Sequence, residues 1–399
     1  MFYFWRMNVI LFDDPSIRTA LLPFTFTRPV ACIRTGILTI QEKWERRLNT
    51  KVSFRTEAYL QQKFPFHTTA QDLLINGAVC PDQTLVDTIK ALPAQYFLVK
   101  DDMLLAANQP AGAMTQQNTI EYAHPVTVID RTWKIFLSNA AQIKLDFALI
   151  TAGRTSAPIT DPHTIVYGPK ENIFLEEGVH LRACVLSAEN GPIYLGRDSM
   201  IQEGAVVRGS FALGEGAHIN VGAKIRGDSS IGPYSKMGGE VSNVVVFGYS
   251  NKAHDGFLGN AVLGEWCNLG AGTNASNMKN NYDKVRPWNH ALNGPEATDL
   301  MFCGLMMGDH SKAGINTMFN TGTVVDVCAN VFGAGFPPAH IPSFAWGGGE
   351  GLVTHTLSKA LETAGRVLGR RNVTLGDVDK AILRHIFDTT AQSRAWEKM

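Results

Sequence analysis

Eight apolar residues fall at strict six-residue intervals in the middle of the chain: Leu195, Ile201, Val207, Leu213, Ile219, Ile225, Ile231 and Met237. Four places after each stands a second, mostly small series: Ser199, Ala205, Phe211, Ala217, Ala223, Ser229, Ser235 and Val241. The register returns at Met307, Ala313, Phe319, Val325 and Val331, with Ser311, Thr317, Thr323, Ala329 and Gly335 at the same offset. An α-helix repeats every 3.6 residues and a half-buried strand every two, so neither gives a period of six. That period marks a β-helix, in which each repeat forms one short, flat face of a three-sided coil. The branched residue then points inward and the small one fits the turn.

The pattern predicts a left-handed parallel β-helix of hexapeptide repeats over 173–350. An Asn-rich insertion at 274–303 must loop out of the stack, and loops on rigid scaffolds often carry function. Upstream, short apolar runs at 8–12, 73–75 and 95–99 alternate with helical stretches at 35–48 and 83–92. This predicts an α/β domain with a mainly parallel sheet over 1–152, closed by a helix at 132–147. A Gly-, Pro-, Ser- and Thr-rich linker is expected at 153–172. Residues 351–399 read as C-terminal helices, at 354–368 and 375–387.

The 399 residues suffice for two domains, and 45% hydrophobic against 18% charged residues supports a large core. A formal net charge of zero argues against nucleic acid or an anionic membrane as partner. No apolar run reaches the length of a bilayer span. The stretch 1–12 is apolar but broken by Arg6 and followed by Asp13 and Asp14, unlike a secretory signal, and Met7 is an alternative start. The six cysteines (Cys32, Cys80, Cys184, Cys267, Cys303, Cys328) form no CxxC pair and read as reduced thiols of a cytoplasmic protein.

Between Met237 and Leu263 the register loosens and polar residues gather. An imidazole is the side chain suited to take a proton at neutral pH, which makes His254 a candidate general base. Asn268 offers an amide for orientation or oxyanion stabilisation. His254, His310 and His340 are too dispersed in sequence to read as a metal site.

The run His254, Phe257, Leu258-Gly259-Asn260-Ala261 and Asn268-Leu269-Gly270-Ala271-Gly272-Thr273 resembles the acetyltransferase core of a known bifunctional family. That family is N-acetylglucosamine-1-phosphate uridyltransferase/glucosamine-1-phosphate N-acetyltransferase. The resemblance implies acetyl-CoA as acyl donor, His254 as the base that deprotonates the attacking amine, and Asn268 in the sugar site. It implies that Ala271, with Gly272 and Thr273, lines the acetyl-CoA site. Arg226 matches the arginine that holds the sugar phosphate, and Asn281-Tyr282 match an Asn-Tyr pair. Phe257 replaces the family's tyrosine, and Lys236 stands near its coil lysine. Lys279, Lys284 and Arg286 are replacement cations in the insertion. The resemblance further implies a homotrimer with His254 at the subunit junction, and a sugar phosphate or nucleotide sugar as substrate.

The amino-terminal run, with Leu22-Pro23 and Arg28-Pro29, resembles a divergent branch of the sugar nucleotidyltransferases. Where those enzymes carry a Gly-rich phosphate loop, this chain has Asp13-Asp14-Pro15. Arg18, Arg28 and Arg34 are the cations left to meet a polyanion, and Asn76 stands where a metal-binding Asp is expected. Asp101-Asp102 read either as a Mg²⁺ pair or as a solvated turn. Three readings follow: an acyltransferase with a nucleotidyltransferase-like domain, a nucleotidyltransferase whose β-helix mainly trimerises, and a non-catalytic nucleotide-sugar-binding relative.

Overall fold

The computed structural model describes residues 7–109 and 114–398. The segment 1–6, on which the reading of the amino terminus partly rests, lies outside the described residues. The amino-terminal domain holds a six-stranded sheet in the order Val52–Arg55, Asn8–Phe12, Asp72–Asn76, Met103–Asn108, Phe97–Lys100, Thr119–Glu121. The first three run parallel, as do the last two, whereas Met103–Asn108 is antiparallel to both neighbours. The sheet is therefore mixed. One of its two antiparallel steps is a hairpin, in which Asp101 (φ 48°) and Asp102 (φ 64°) supply the two left-handed turn residues, the geometry that matches strand twist.

Helix α1 spans Pro15–Ala20 and α2 spans Ile40–Leu48. Helix α2 starts five residues later than the sequence pattern suggests because Thr39 and Glu42 form a reciprocal capping box. The preceding Gly36, Ile37 and Leu38 instead donate their N–H groups to the side chains of Asn139 and Asp146. Gly36 has φ +86°, and a Cβ there would meet Asp146 Oδ2 at 2.5 Å. Helix α3 spans Gln83–Lys90. The expected single helix at 132–147 is two, α4 (Thr132–Leu137) and α5 (Asn139–Thr151). At their junction Asn139 bonds Gly36, Asp228 and Ser230, bolting the domain to the coil behind it.

The carboxy-terminal half is a parallel β-solenoid. Leu195, Leu213 and Ile231 stack in one column, and Ile201, Ile219 and Met237 in another. All eight residues of the first register are at most 1% exposed. The solenoid begins inside the segment read as a linker, since Ile165–Tyr167 pairs with Val185–Ser187. Its first coils are longer (Ile173 pairs Ile193, His180 pairs Met200), so the six-residue period does not reach them.

The register loosens after Met237 for the opposite reason. One strand, Glu240–Gly248, spans two faces and bends at Asn243 (φ 52°), which shortens that coil. Lys252 consequently pairs with Met237 and faces inward, 1% exposed. The insertion leaves after Asn274–Ala275, carries a small hairpin of Trp288–Asn289 and Gly294–Pro295, and returns at Met306–Met307 over Val262 and Leu263. Coiling then continues beyond Pro337, through His340–Ile341 and Ala345–Gly348.

Two further layers cover the solenoid. Val245, Phe247, Val262, Met306 and Val324, on one outer face, share a core with Leu21, Phe24 and Val30 of the amino-terminal domain. Helices α6 (Leu357–Gly369) and α7 (Asp377–Thr389) pack through Ala364, Leu368 and Ile386 against Trp266, Val327 and Phe344 and against Leu60. All six cysteines are free, five of them buried. Among the described residues no helix is long and apolar enough to cross a membrane.

Candidate functional site

One corner of the solenoid carries a column of flat rings. Tyr234, Tyr249 and Trp266 stack at 5.3 and 4.3 Å, and His310 follows at 6.5 Å. Each has φ between 54° and 62°, the left-handed conformation needed to turn the corner. Beside this column opens a cleft of about 590 Å³. Its floor is the face bearing Lys236, Asn251, Asn268 and Lys312. One wall is the end of α6 with Val367, Arg370 and Arg371, and the opposite rim is formed by His254, Ala271 and Ile315.

His254 is exposed at the next corner, and its loop is pinned on both sides. The buried Lys252 Nζ donates to the carbonyls of His254 (2.7 Å) and Gly238 (3.2 Å). Asn220 donates to the Ala253 carbonyl, and Gly272 N to that of Asp255. Gly256 (φ +120°) completes the bend, because a Cβ there would meet the Thr273 carbonyl at 2.1 Å. The floor is equally ordered. Lys312 donates to the carbonyls of Trp266 and His310, and burial lowers its pKa. Arg371 reaches the Tyr234 carbonyl and Asn251 Oδ1, both at 3.3 Å. The lining thus includes four cations and, among the described residues, no carboxylate. Such a surface favours an anionic ligand, and guanidinium groups suit phosphate oxygens.

Burial pushes the Lys252 ammonium down to about 8, against the pull of Asp255. Between pH 8 and the ordinary value of 10.5 the unfolded chain holds this proton and the folded chain does not. Stability contributed by this group therefore rises with pH through that window. Wild type is expected to gain on Lys252→Met by up to about 1.4 kcal/mol per pH unit across it. Urea unfolding of both proteins at several pH values checks this, and a constant difference contradicts it.

The solenoid candidates named from sequence divide into three groups. His254, Asn268, Lys236 and Ala271 lie together on the cleft. Gly272 and Thr273 adjoin it, but Gly272 is a turn residue (φ +68°) and Thr273 is buried, its hydroxyl on the Gly314 carbonyl. Arg226, Phe257, Asn281, Tyr282 and Lys284 do not line the cleft of one chain. Arg226 pairs with Glu240 at 2.9 Å, Phe257 lies on the following face, and the last three sit in the looped-out insertion, where Lys284 holds the Asp299 carbonyl.

The amino-terminal candidates are engaged within the fold or lie at a turn. Arg18 is buried against Asp13 (2.9 Å), Tyr59 and the carbonyls of Thr25 and Arg28. Arg28 is buried in a two-pronged pair with Asp309 (2.6 and 3.1 Å) and reaches Glu265 at 3.1 Å. Neither guanidinium is free to meet a phosphate. Asp101 and Asp102 are the hairpin turn, and they belong to no three-residue ligand group among the described residues. Where a phosphate loop would stand, Asp14 caps α1 and Asp13 accepts from Val30 N, Arg18 and Thr56. Arg34 is likewise engaged, with the carbonyls of Phe247 and Ile37.

Arg370 and Arg371 were not anticipated. Their signal is the basic pair ending an amphipathic helix, but nothing in the sequence says that this helix folds back over the coil. His290 and Asp326 carry no local sequence signal, because they meet His340 only in space.

Residues 9–155 match a family described as sugar nucleotidyl transferase. Among solved structures the chain is similar to Arabidopsis UDP-N-acetylglucosamine acyltransferase at 15% identity, covering 54% of this chain and 77% of that one, with a TM-score of 0.23. No curated protein matches significantly. Residues 9–155 are thus similar to that family, and they are followed by a parallel β-solenoid.

Proposed function

We propose that this chain is a transferase of sugar-nucleotide metabolism that moves an acyl group from acetyl-CoA to the amine of an amino-sugar phosphate or nucleotide sugar. The reaction site is the solenoid cleft and His254 is its general base. One observation carries this reading: Lys236, His254 and the pair Asn268 and Ala271 converge from three successive coils on a cleft lined by cations. The lining suits the phosphates of both substrates, with Arg370, Arg371 and Lys312 as their counter-charges and Ala271 leaving room at the rim. Acetyl-CoA, when bound, supplies the acyl group as a thioester. The chain's own part is to hold the acceptor through Asn268 and Lys236 and to take the amine proton on a ring nitrogen of His254. Turnover of acetyl-CoA with amino-sugar phosphates, in wild type and His254→Ala, tests it.

We read the assembly as a homotrimer with His254 at the junction. Val221 (67% exposed) and Ile315 (74%) are apolar and stand two coils to either side of His254 along the same corner. Exposed apolar side chains in line suit a self-association surface. Light scattering is expected to give three times 43.6 kDa, and a monomeric mass contradicts this.

The family match favours a second reading, sugar-1-phosphate nucleotidyl transfer in the amino-terminal domain. The residues there do not fit Mg²⁺ or a triphosphate: Asp101 and Asp102 form a turn, and Arg18 and Arg28 are held in internal pairs. A domain that binds a nucleotide sugar without turning it over agrees better with these contacts. Stabilisation by nucleotides that needs Mg²⁺ would favour transfer.

A further inference from the structure

The insertion, the solenoid and the amino-terminal domain meet at a second cluster. His290 lies in the insertion, next to its Trp288–Asn289 strand. Asp326 follows the strand Val324–Val325, and His340 opens the strand that pairs with it one coil on. His290 Nε2 is 3.0 Å from Asp326 Oδ1, and His340 Nε2 is 3.1 Å from Asp326 Oδ2. One ligand atom from each residue lies within 4.8 Å of the others. The imidazole planes cross at 89° with centroids 5.3 Å apart, so two nitrogens converge on one carboxylate from different directions.

The surroundings are rigid and largely dry. Asp326 is 1% exposed, and the two histidine side chains 15% and 14%. Trp288 stacks on His340 at 4.4 Å, and Phe26 of the amino-terminal domain stands edge-on to His290 at 5.8 Å. The Asp326 backbone is fixed through Ile341 O and the Ser311 hydroxyl. Two imidazoles and one carboxylate form the donor set of three-ligand zinc sites, which leave a fourth position for water. Zinc ligands at about 2.0–2.2 Å in a tetrahedron stand roughly 3.3 Å apart. Two of the observed separations, 3.0 and 3.1 Å, are already close to this, and the third lies within 4.8 Å.

We propose that His290, Asp326 and His340 bind a borderline first-row divalent cation, zinc fitting best, which clamps the insertion to the coil. The ion replaces the imidazole protons that otherwise face the carboxylate. Hard ions such as Mg²⁺ prefer all-oxygen shells and fit poorly.

The test uses the full chain, stripped with a chelator and titrated with Zn²⁺ in competition and with Co²⁺ by visible absorption. One Zn²⁺ per chain and the d–d bands of tetrahedral Co²⁺ are expected. His290→Ala and Asp326→Asn are each expected to weaken Zn²⁺ at least about 100-fold, whereas His180→Ala, at an exposed site, leaves it unchanged. His290 belongs to a looped-out segment, so its variant keeps the test open should Asp326→Asn misfold. Absence of the Co²⁺ bands, or affinity untouched by His290→Ala, would overturn the proposal and leave a hydrogen-bonded His–Asp–His latch.

Discussion

His254→Ala is expected to lower acyl transfer by about 10²–10⁴-fold, the range of a lost general base, while leaving the fold intact. The imidazole is exposed at a corner, and its loop is held by backbone groups through Lys252, Asn220 and Gly272. Stability in a stacked coil resides in its inward apolar columns. Replacing an exposed side chain should therefore change unfolding free energy by no more than about 0.5 kcal/mol. Steady-state kinetics and urea unfolding on the same preparation separate the two effects. Retained activity would exclude His254 as base, and a large loss of stability would show that the residue holds the loop.

The second large effect lies where the two halves of the chain meet. Arg28→Met is expected to destabilise the protein by about 3–5 kcal/mol, because one partner of a buried ion pair is left uncompensated. Burial alone would raise the Asp309 pKa, but Arg28, together with the Thr27 hydroxyl, holds it below the ordinary carboxylate range. Without Arg28 that carboxylate must be protonated or stay charged at a buried position. The double variant Arg28→Met/Asp309→Leu should recover much of the loss, since an apolar pair of similar volume removes both desolvation costs. Denaturant unfolding of the two singles and the double closes the cycle. A single-variant cost near zero would mean that this pair does not hold the domains together.

Much of the solenoid was legible in sequence because its signal repeats. A period of six survives wherever coils have three equal faces, as from Leu195 to Met237, and fails where a coil lengthens at Ile173 or shortens at Asn243. The failure at Asn243 is also what turns Lys252 inward beneath the His254 loop. The site was half legible. His254, Asn268 and Ala271 lie close in sequence on neighbouring coils, so a local motif captured them. Arg370 and Arg371 reach the cleft by a helix returning from about 100 residues away, and no local pattern encodes that docking. Arg18 and Arg28 misled for a related reason: an arginine reads as a phosphate ligand until its carboxylate, Asp13 nearby or Asp309 far along the chain, is seen.

The most direct test is binding of acetyl-CoA to the isolated protein, read as a shift in Tm with ligand concentration. A saturable rise is expected that persists in His254→Ala, where chemistry and not binding is removed, and that falls when Arg370 and Arg371 are both replaced by alanine. No shift with acetyl-CoA or CoA, beside a clear one with Mg²⁺ and a nucleoside triphosphate, would contradict it and move the function to the amino-terminal domain.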